Sequence, residues 1–477
     1  MPPTERAANV RHAPQIIQGG MGVGVSNWRL ARRVAESGEF GVVSGTGIDT
    51  VVVRELQRGD PHGRLRVLQD YPDQDVVAHL SERFYVPGGL AFGEPFRLLP
   101  MHSFHGSTLS QRMLSAATYS EVALARQGHA GRIGINLLTK LKRYTLASMY
   151  GAMLAGVDGV FMGAGIPIEE AEQLQKLAAG QPAKLRIEVE AAKGAGAAHF
   201  YCLDPADLVP HARVMPCPLF YPIVASDALA RILAKKIPAE HIGAWILEGP
   251  TAGGHNAPPR NKAVDAMGDP IYDERDVIDL AVIAGLGKPF YLAGGYGRPE
   301  RLREALALGA AGIQVGSLFS LADESGYAAA DKRRIIAAIH RGEVVVRTDG
   351  RLSATGFPFK VMELEGTLGM PAIQRTRVCD LGYLQTAFVD ANGHVRGRCP
   401  GEPVADYLTK GGAIEDTARR GCLCNSLMAN IGLGQQQRTG PELPLFTAGD
   451  GILELELATA DEPHYSATDV IEYLRGE

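Results

Sequence analysis

Long apolar runs are missing from this sequence. No stretch of its 477 residues approaches the length of a membrane span, so an integral helical membrane protein is not expected. Charge of one sign is missing as well: 48 basic against 53 acidic residues leave a net charge of −5, with no surface for nucleic acid or anionic lipid implied. Cysteine is sparse, six in the whole chain, too few for a disulfide scaffold at this length, and a reducing cytoplasm is the default setting. The opening MPPTERAANVRHAP has two early prolines, mixed charge and no apolar core, so neither a signal peptide nor an anchor is expected there. With 21% charged and 45% hydrophobic residues the chain is not a disordered one. What it does have is glycine, 57 of them, as an α/β protein with many short turns requires, and length enough for one large barrel plus an appended region.

The most regular stretch runs from Pro289 to Phe319. Phe290 to Ala293 is apolar on both faces, as in a buried parallel strand, and Gly294 and Gly295 end it. Pro299 opens a helix carrying Leu302, Ala305, Leu306 and Leu308 up to Gly309. Ile313 to Val315 is a second strand, closed by Gly316 and Ser317. Two glycine turns at the same ends of adjacent parallel strands can aim bare N–H groups at one spot, which suits a phosphate, whereas either turn alone is only a tight βα connection.

The same rhythm recurs along the chain. Ile16 and Ile17 lead into QGGMGVGVS, with Ser26 as the expected N-cap of a helix from Asn27 to Ser37. Strands follow at 41–47, 133–138, 157–165, 219–225 and 243–249. Eight βα units make a TIM (β/α)₈ barrel the economical fold. A strand-like run from Lys184 to Glu190 has no place in that count. From 48 to 131 the pattern loosens, and we read a helical insertion over the barrel mouth, in which His102 and His105 are expected to be exposed and idle. Past 341 the rhythm stops, which gives a barrel over 1–340 and an appended C-terminal region over 341–477 that ends in a helix near 466–475.

Reactivity is expected after strand six, in LEGPTAGGHNAP. Ala252, Gly253 and Gly254 leave no bulk on the backbone, and His255 follows at the C-terminal mouth of the barrel, where an imidazole can serve as acid, base or donor. Glu248 ends the strand, placed either for a site role or for an ion pair with a nearby Lys or Arg. Asn136, the one strongly polar residue of GINLL, either ties neighbouring backbone or faces a ligand.

AGGH after strand six, AGG and GIQVGS around strands seven and eight, QGGMGVGVS at the start and GINLL at strand three together resemble the nitronate monooxygenase (2-nitropropane dioxygenase) family, to which FMN-dependent enoyl reductases are related. The resemblance covers about Gln15 to Phe319 without the insertion. It implies an FMN-binding barrel, with the FMN phosphate on Gly294, Gly295, Gly316 and Ser317. It places Gly20, Met21, Gly22 and Asn136 along the isoalloxazine, and Glu248, Gly253 and Gln314 among the cofactor contacts. His255 becomes the acid/base residue beside the flavin. Some family members carry a histidine at the end of strand four; here the sequence is FMGAGIP, without one.

The function implied is oxidation of alkyl nitronates with O₂ to carbonyl compounds and nitrite. The imidazole would steady the nitronate, as imidazolium or donor, or take the α-proton of a nitroalkane. An NAD(P)H-dependent enoyl-thioester reductase, a non-catalytic flavin-binding subunit and a flavin-free sugar-phosphate barrel are the alternatives. The partners are a small-molecule substrate and O₂, with a homo-oligomer left open. Cys379, Cys399, Cys422 and Cys424 gather in the C-terminal region, but their spacing is not a standard CxxC pair, so buried free thiols are expected and no residue is assigned to a metal.

Overall fold

The protein was analysed as a computed structural model that describes residues 13–190, 198–211 and 213–477. The first twelve residues, and with them most of the opening judged to be neither signal peptide nor anchor, lie outside the described residues. No helix among the described residues is long and apolar enough to cross a membrane.

Eight parallel strands close into a barrel. In chain order they are β1 (Ile16–Gln18), β2 (Phe40–Ser44), β3 (Arg132–Leu138), β4 (Gly159–Gly163), β5 (Leu219–Val224), β6 (Trp245–Glu248), β7 (Phe290–Ala293) and β8 (Gly312–Val315). Each pairs with the next, and β1 closes the ring by pairing with β8 through Ile16–Ile313, Ile17–Gln314 and Gln18–Val315. All eight strands expected from the sequence are present. Lys184–Glu190 lies outside the ring: Ala183–Ile187 pairs antiparallel with His199–Leu203, and Val189–Glu190 pairs with Thr386–Val389 of the C-terminal region.

The lower barrel is filled by its own apolar plug, including Ile17, Phe40, Phe161, Tyr221, Ile246 and Tyr291. Phe161 and Tyr221 stack at 4.4 Å, with the edge of Phe40 against both. Glycines make room for these rings. A Cβ on Gly134 would stand 2.6 Å from Phe161, and one on Gly159 or Gly243 would stand 2.7 or 2.4 Å from Tyr221. Rings wedged against glycine holes at one end leave the other end free of side-chain bulk, as a site at the strands' C-terminal ends requires.

The helices form the outer layer, and two details differ from expectation. The first helix, Trp28–Glu36, is capped by Asn27, whose side chain accepts from the amides of Arg29 and Leu30. Ser26 instead accepts from Gln18 and the Met21 amide and donates to the Gly19 carbonyl, so its hydroxyl pins the glycine loop after β1. The 48–131 segment holds helices at Ile48–Gln57, Arg64–Leu68, Gln74–Phe84 and Thr108–Arg126. The last of these packs between Trp28–Glu36 and Lys142–Leu154 and fills the ordinary βα helix position after β2.

The 341–477 stretch begins as an antiparallel hairpin, Val345–Asp349 with Phe359–Glu363. It ends in Ala467–Arg475, capped by Ser466, which docks on the barrel helices Trp28–Glu36 and Pro299–Ala307.

Candidate active site

The C-terminal ends of the strands open into a cavity of about 590 Å³. Every site residue expected from the sequence lines it: Gly20, Met21, Gly22, Asn136, Glu248, Gly253, His255, Gly294, Gly295, Gln314, Gly316 and Ser317. The turns after β7 and β8 are neighbours because those strands pair directly. Gly294 and Gly295 have φ of +84° and +76°, a region a side chain strains to reach, and a Cβ on Gly294 would stand 3.0 Å from the Gly249 carbonyl oxygen. After β1, a Cβ on Gly20 would stand 2.1 Å from the Asn136 Cβ, so backbone lies directly against that asparagine.

Two ionisable groups stand at the strand ends, Glu248 and His255, while Arg298, Glu300, Arg301, Glu304 and Glu454 lie farther out along the lining. Burial alone lifts the Glu248 carboxyl to about 7, and among the described residues no Lys or Arg pairs with it. His255 is pushed down to about 4, first by burial and second by the positive Lys140, and its ring is neutral near pH 7. That direction favours the roles of base or neutral donor over imidazolium. His255 Nε2 lies 2.7 Å from the hydroxyl of the fully buried Ser353, which in turn bonds Thr355 at 2.8 Å. This hydroxyl pair, from the segment after Asp349, holds the ring's orientation. Asn256 donates to the Ala252 carbonyl at 3.1 Å and tightens the loop that carries His255.

The mouth is covered from a direction the sequence did not indicate. Among the described residues, none from 48–131 lines the cavity, whereas Leu427, Thr447, Ala448, Gly449, Gly451 and Ile452 do. The Thr447 hydroxyl accepts from the Gly254 amide at 2.8 Å, and the Gly449 amide donates to Ser317 Oγ at 2.7 Å. A Cβ on Gly253 would stand 2.9 Å from the backbone at Ala448 and Gly449. The glycine there therefore admits the C-terminal strap as much as any ligand. The signal was present in the small-residue run TAGDG at 447–451, in a region without βα rhythm.

His102 also departs from expectation, being buried rather than exposed. Its Nε2 sits 3.0 Å from Asp49, whose other oxygen accepts from the hydroxyl of Tyr383. This pair joins the helix after β2 to the C-terminal region and lies outside the cavity lining.

The barrel mouth is thus glycine-lined, with the His255 imidazole and the Glu248 carboxyl at the strand ends. Residues 165–394, just under half of the chain, match the nitronate monooxygenase family model. The resemblance read from the motifs is to the same family. The chain is 33% identical over 133 residues to the (3aS,4S,5R,7aS)-5-hydroxy-7a-methyl-1-oxo-octahydro-1H-indene-4-carboxyl-CoA dehydrogenase of Mycobacterium tuberculosis, across 28% of this chain and 33% of that one. It thus spans about a third of the length of that curated relative. Among solved structures it is similar to FabK from Thermotoga maritima, at 16% identity and TM-score 0.47, covering 97% of this chain and 91% of that one. It is also similar to nitroalkane oxidase from Streptomyces ansochromogenes, at 17% identity and TM-score 0.43, covering 98% and 96%.

Proposed function

We propose that the protein binds FMN in this cavity and oxidises alkyl nitronates with O₂ to carbonyl compounds and nitrite. The observation that carries the reading is the convergence on one cavity of bare backbone after β1, β6, β7 and β8 with His255. FMN, when bound, supplies the redox chemistry. Gly294, Gly295, Gly316 and Ser317 would hold its phosphate, with Ser317 kept in place by the Gly449 amide. Gly20, Met21, Gly22 and Asn136 would flank its ring, with Glu248, Gly253 and Gln314 as further contacts. His255, neutral and with Nε2 engaged by Ser353, has Nδ1 left to accept the α-proton of a nitroalkane or to face a nitronate. Glu248 is near half-protonation at neutral pH and can donate from its neutral form to an anionic substrate.

The same glycine turns and cavity would serve an FMN-dependent reductase equally, so an NAD(P)H-dependent enoyl-thioester reductase is the alternative. Free cysteines throughout fit a reducing, cytoplasmic setting. The division into barrel, 1–340, and appended region, 341–477, belongs to the same proposal, with the appended part acting as the cover of the mouth.

Anaerobic mixing of the flavin-loaded protein with an alkyl nitronate, and separately with NAD(P)H, tests the reading. Bleaching by the nitronate with release of nitrite on admitting O₂ is expected. Bleaching by NAD(P)H alone would transfer the assignment to the reductase, and bleaching by neither would leave a binding protein.

A further inference from the structure

Among the described residues three that are not glycine have left-handed backbone: Asp60, Ala164 and Arg419, at φ of +54°, +55° and +60°. That conformation is sterically unfavourable for any residue with a Cβ, and least so for Asp and Asn. In two of the three, side-chain bonds offset it. Asp60 accepts from the amides of Arg64 and Leu65, and Arg419 reaches Asp269 and Asp349. Ala164 has only a methyl group, and of the three it alone lines the barrel cavity. A backbone outlier at a cavity, with no side-chain bond to offset it, directs attention to the backbone itself.

Two restraints hold this turn. The Gly163 carbonyl at the end of β4 accepts from the Thr139 amide at 3.1 Å and from the Thr139 hydroxyl at 2.9 Å. Gly165 packs on the same threonine, so that a Cβ there would stand 2.8 Å from the Thr139 Cβ. The direction of the next amide follows. Thr139 comes directly after β3, so the Gly163 carbonyl points to the β3 side of β4. In a trans peptide the N–H points opposite to the carbonyl of the same plane, and the Gly163–Ala164 bond is trans. The Ala164 amide is therefore aimed the other way, toward the end of β5, where Ile223 lines the cavity. No acceptor among the described residues takes it.

A bare amide at a cavity edge suits an oxygen that carries negative charge. The walls beside it suit a short carbon chain. Leu138, level with Gly163 on β3, and Ile223 on β5 line the cavity to either side. A Cβ on Gly163 would stand 3.0 Å from the Ile223 Cβ, so the glycine leaves that space to the isoleucine. β6 is next in the ring and brings Glu248 to the far flank of Ile223.

We propose that the Gly163–Ala164–Gly165 turn is the oxygen site of the substrate: the Ala164 amide donates to an oxygen of the nitronate, whose alkyl group lies against Leu138 and Ile223. This rests on the function proposed above and adds the substrate's orientation to it. Thr139 is a positioning residue, since its two bonds to the Gly163 carbonyl aim the amide.

Propionate tests this, because it has the planar two-oxygen anion and the chain length of the nitronate of nitroethane. Its Kd is read by isothermal titration calorimetry on the full-length protein. Binding needs no turnover, so a protein that fails the nitronate assay still passes or fails here. Replacing Ala164 by lactic acid, which exchanges the N–H for an ester oxygen, should weaken binding at least about tenfold. Thr139→Val should weaken it about three- to tenfold, and Thr139→Ser should restore it, with flavin retention unchanged in all three. Wild-type protein that does not bind propionate, or an ester variant that binds it as tightly as wild type, overturns the proposal. If the ester variant fails to fold, the threonine pair decides: equal Kd for Thr139→Val, Thr139→Ser and wild type overturns it.

Discussion

At the barrel mouth Glu248 and His255 border open space with no opposite charge beside them, whereas behind β2 the buried acids are all answered. Arg64 is itself fully buried between Glu55 and Glu121, bonded to the first and 2.7 Å from the second, and His62 reaches Glu55 at 3.3 Å. Burial pushes the Glu55 carboxyl up, but Arg64 and His62 outweigh it and hold it down to about 2. Glu121 is raised, by its burial and by Glu55, because one guanidinium is shared between two acids. Asp49, buried likewise, is held below its ordinary range by His102 and Tyr383. The difference separates uses of burial. Charges that are paired fix helices to each other, while groups shifted chiefly by desolvation are kept in states useful to a ligand.

The largest effect is expected where backbone itself is the site. Gly294→Val puts a β-branched side chain at φ +84°, 3.0 Å from the Gly249 oxygen, and should remove flavin retention altogether, read as released flavin per chain after gel filtration. A variant that stays fully loaded would mean that this turn does not hold the phosphate. His255→Ala should retain flavin and lose about 10²–10⁴-fold in nitronate turnover. Turnover at the wild-type rate would take the imidazole out of the chemistry.

On the paired side, Arg64→Ala leaves two buried acids without their cation and should cost about 3–5 kcal/mol in urea unfolding, with flavin affinity in the folded fraction unchanged. A loss under 1 kcal/mol, the size of an exposed pair, would erase the contrast between the two regions.

The smallest effect is a pH dependence. Glu248 is raised in the folded protein, from an ordinary 4.5 to about 7, so the folded state holds a proton that the unfolded state releases. Stability is therefore lost as pH rises from about 4.5 to about 7 and is flat above. Because the carboxyl faces a cavity rather than packed protein, about 1–2 kcal/mol is expected instead of the full shift. His255, lowered to about 4, works in the opposite sense and gains stability as pH rises from about 4 to 6.5. Glu248→Gln should uncover that rising limb. Identical pH profiles for the two proteins would show the carboxyl to be solvated.

The βα rhythm was legible because each unit is local: a short apolar strand, a glycine exit and a capped helix lie within a few dozen residues, and all eight strands were found from them. The cavity-lining residues at the strand ends were legible for the same reason, since glycines there report where backbone must stay bare. Ser353, Thr447 and Gly449 were not, because nothing local says which distant loop returns to the mouth. His102 was misplaced because a histidine in an irregular stretch carries no sign of the aspartate, 53 residues earlier, that buries it.

By itself, then, the sequence determined the barrel, the glycine turns and the imidazole at its mouth, all set by backbone geometry over short spans. Only the tertiary structure decided which segment covers that mouth, and that His255 is neutral and held by Ser353. Those depend on contacts between residues far apart in the chain, and on the desolvation that such contacts impose.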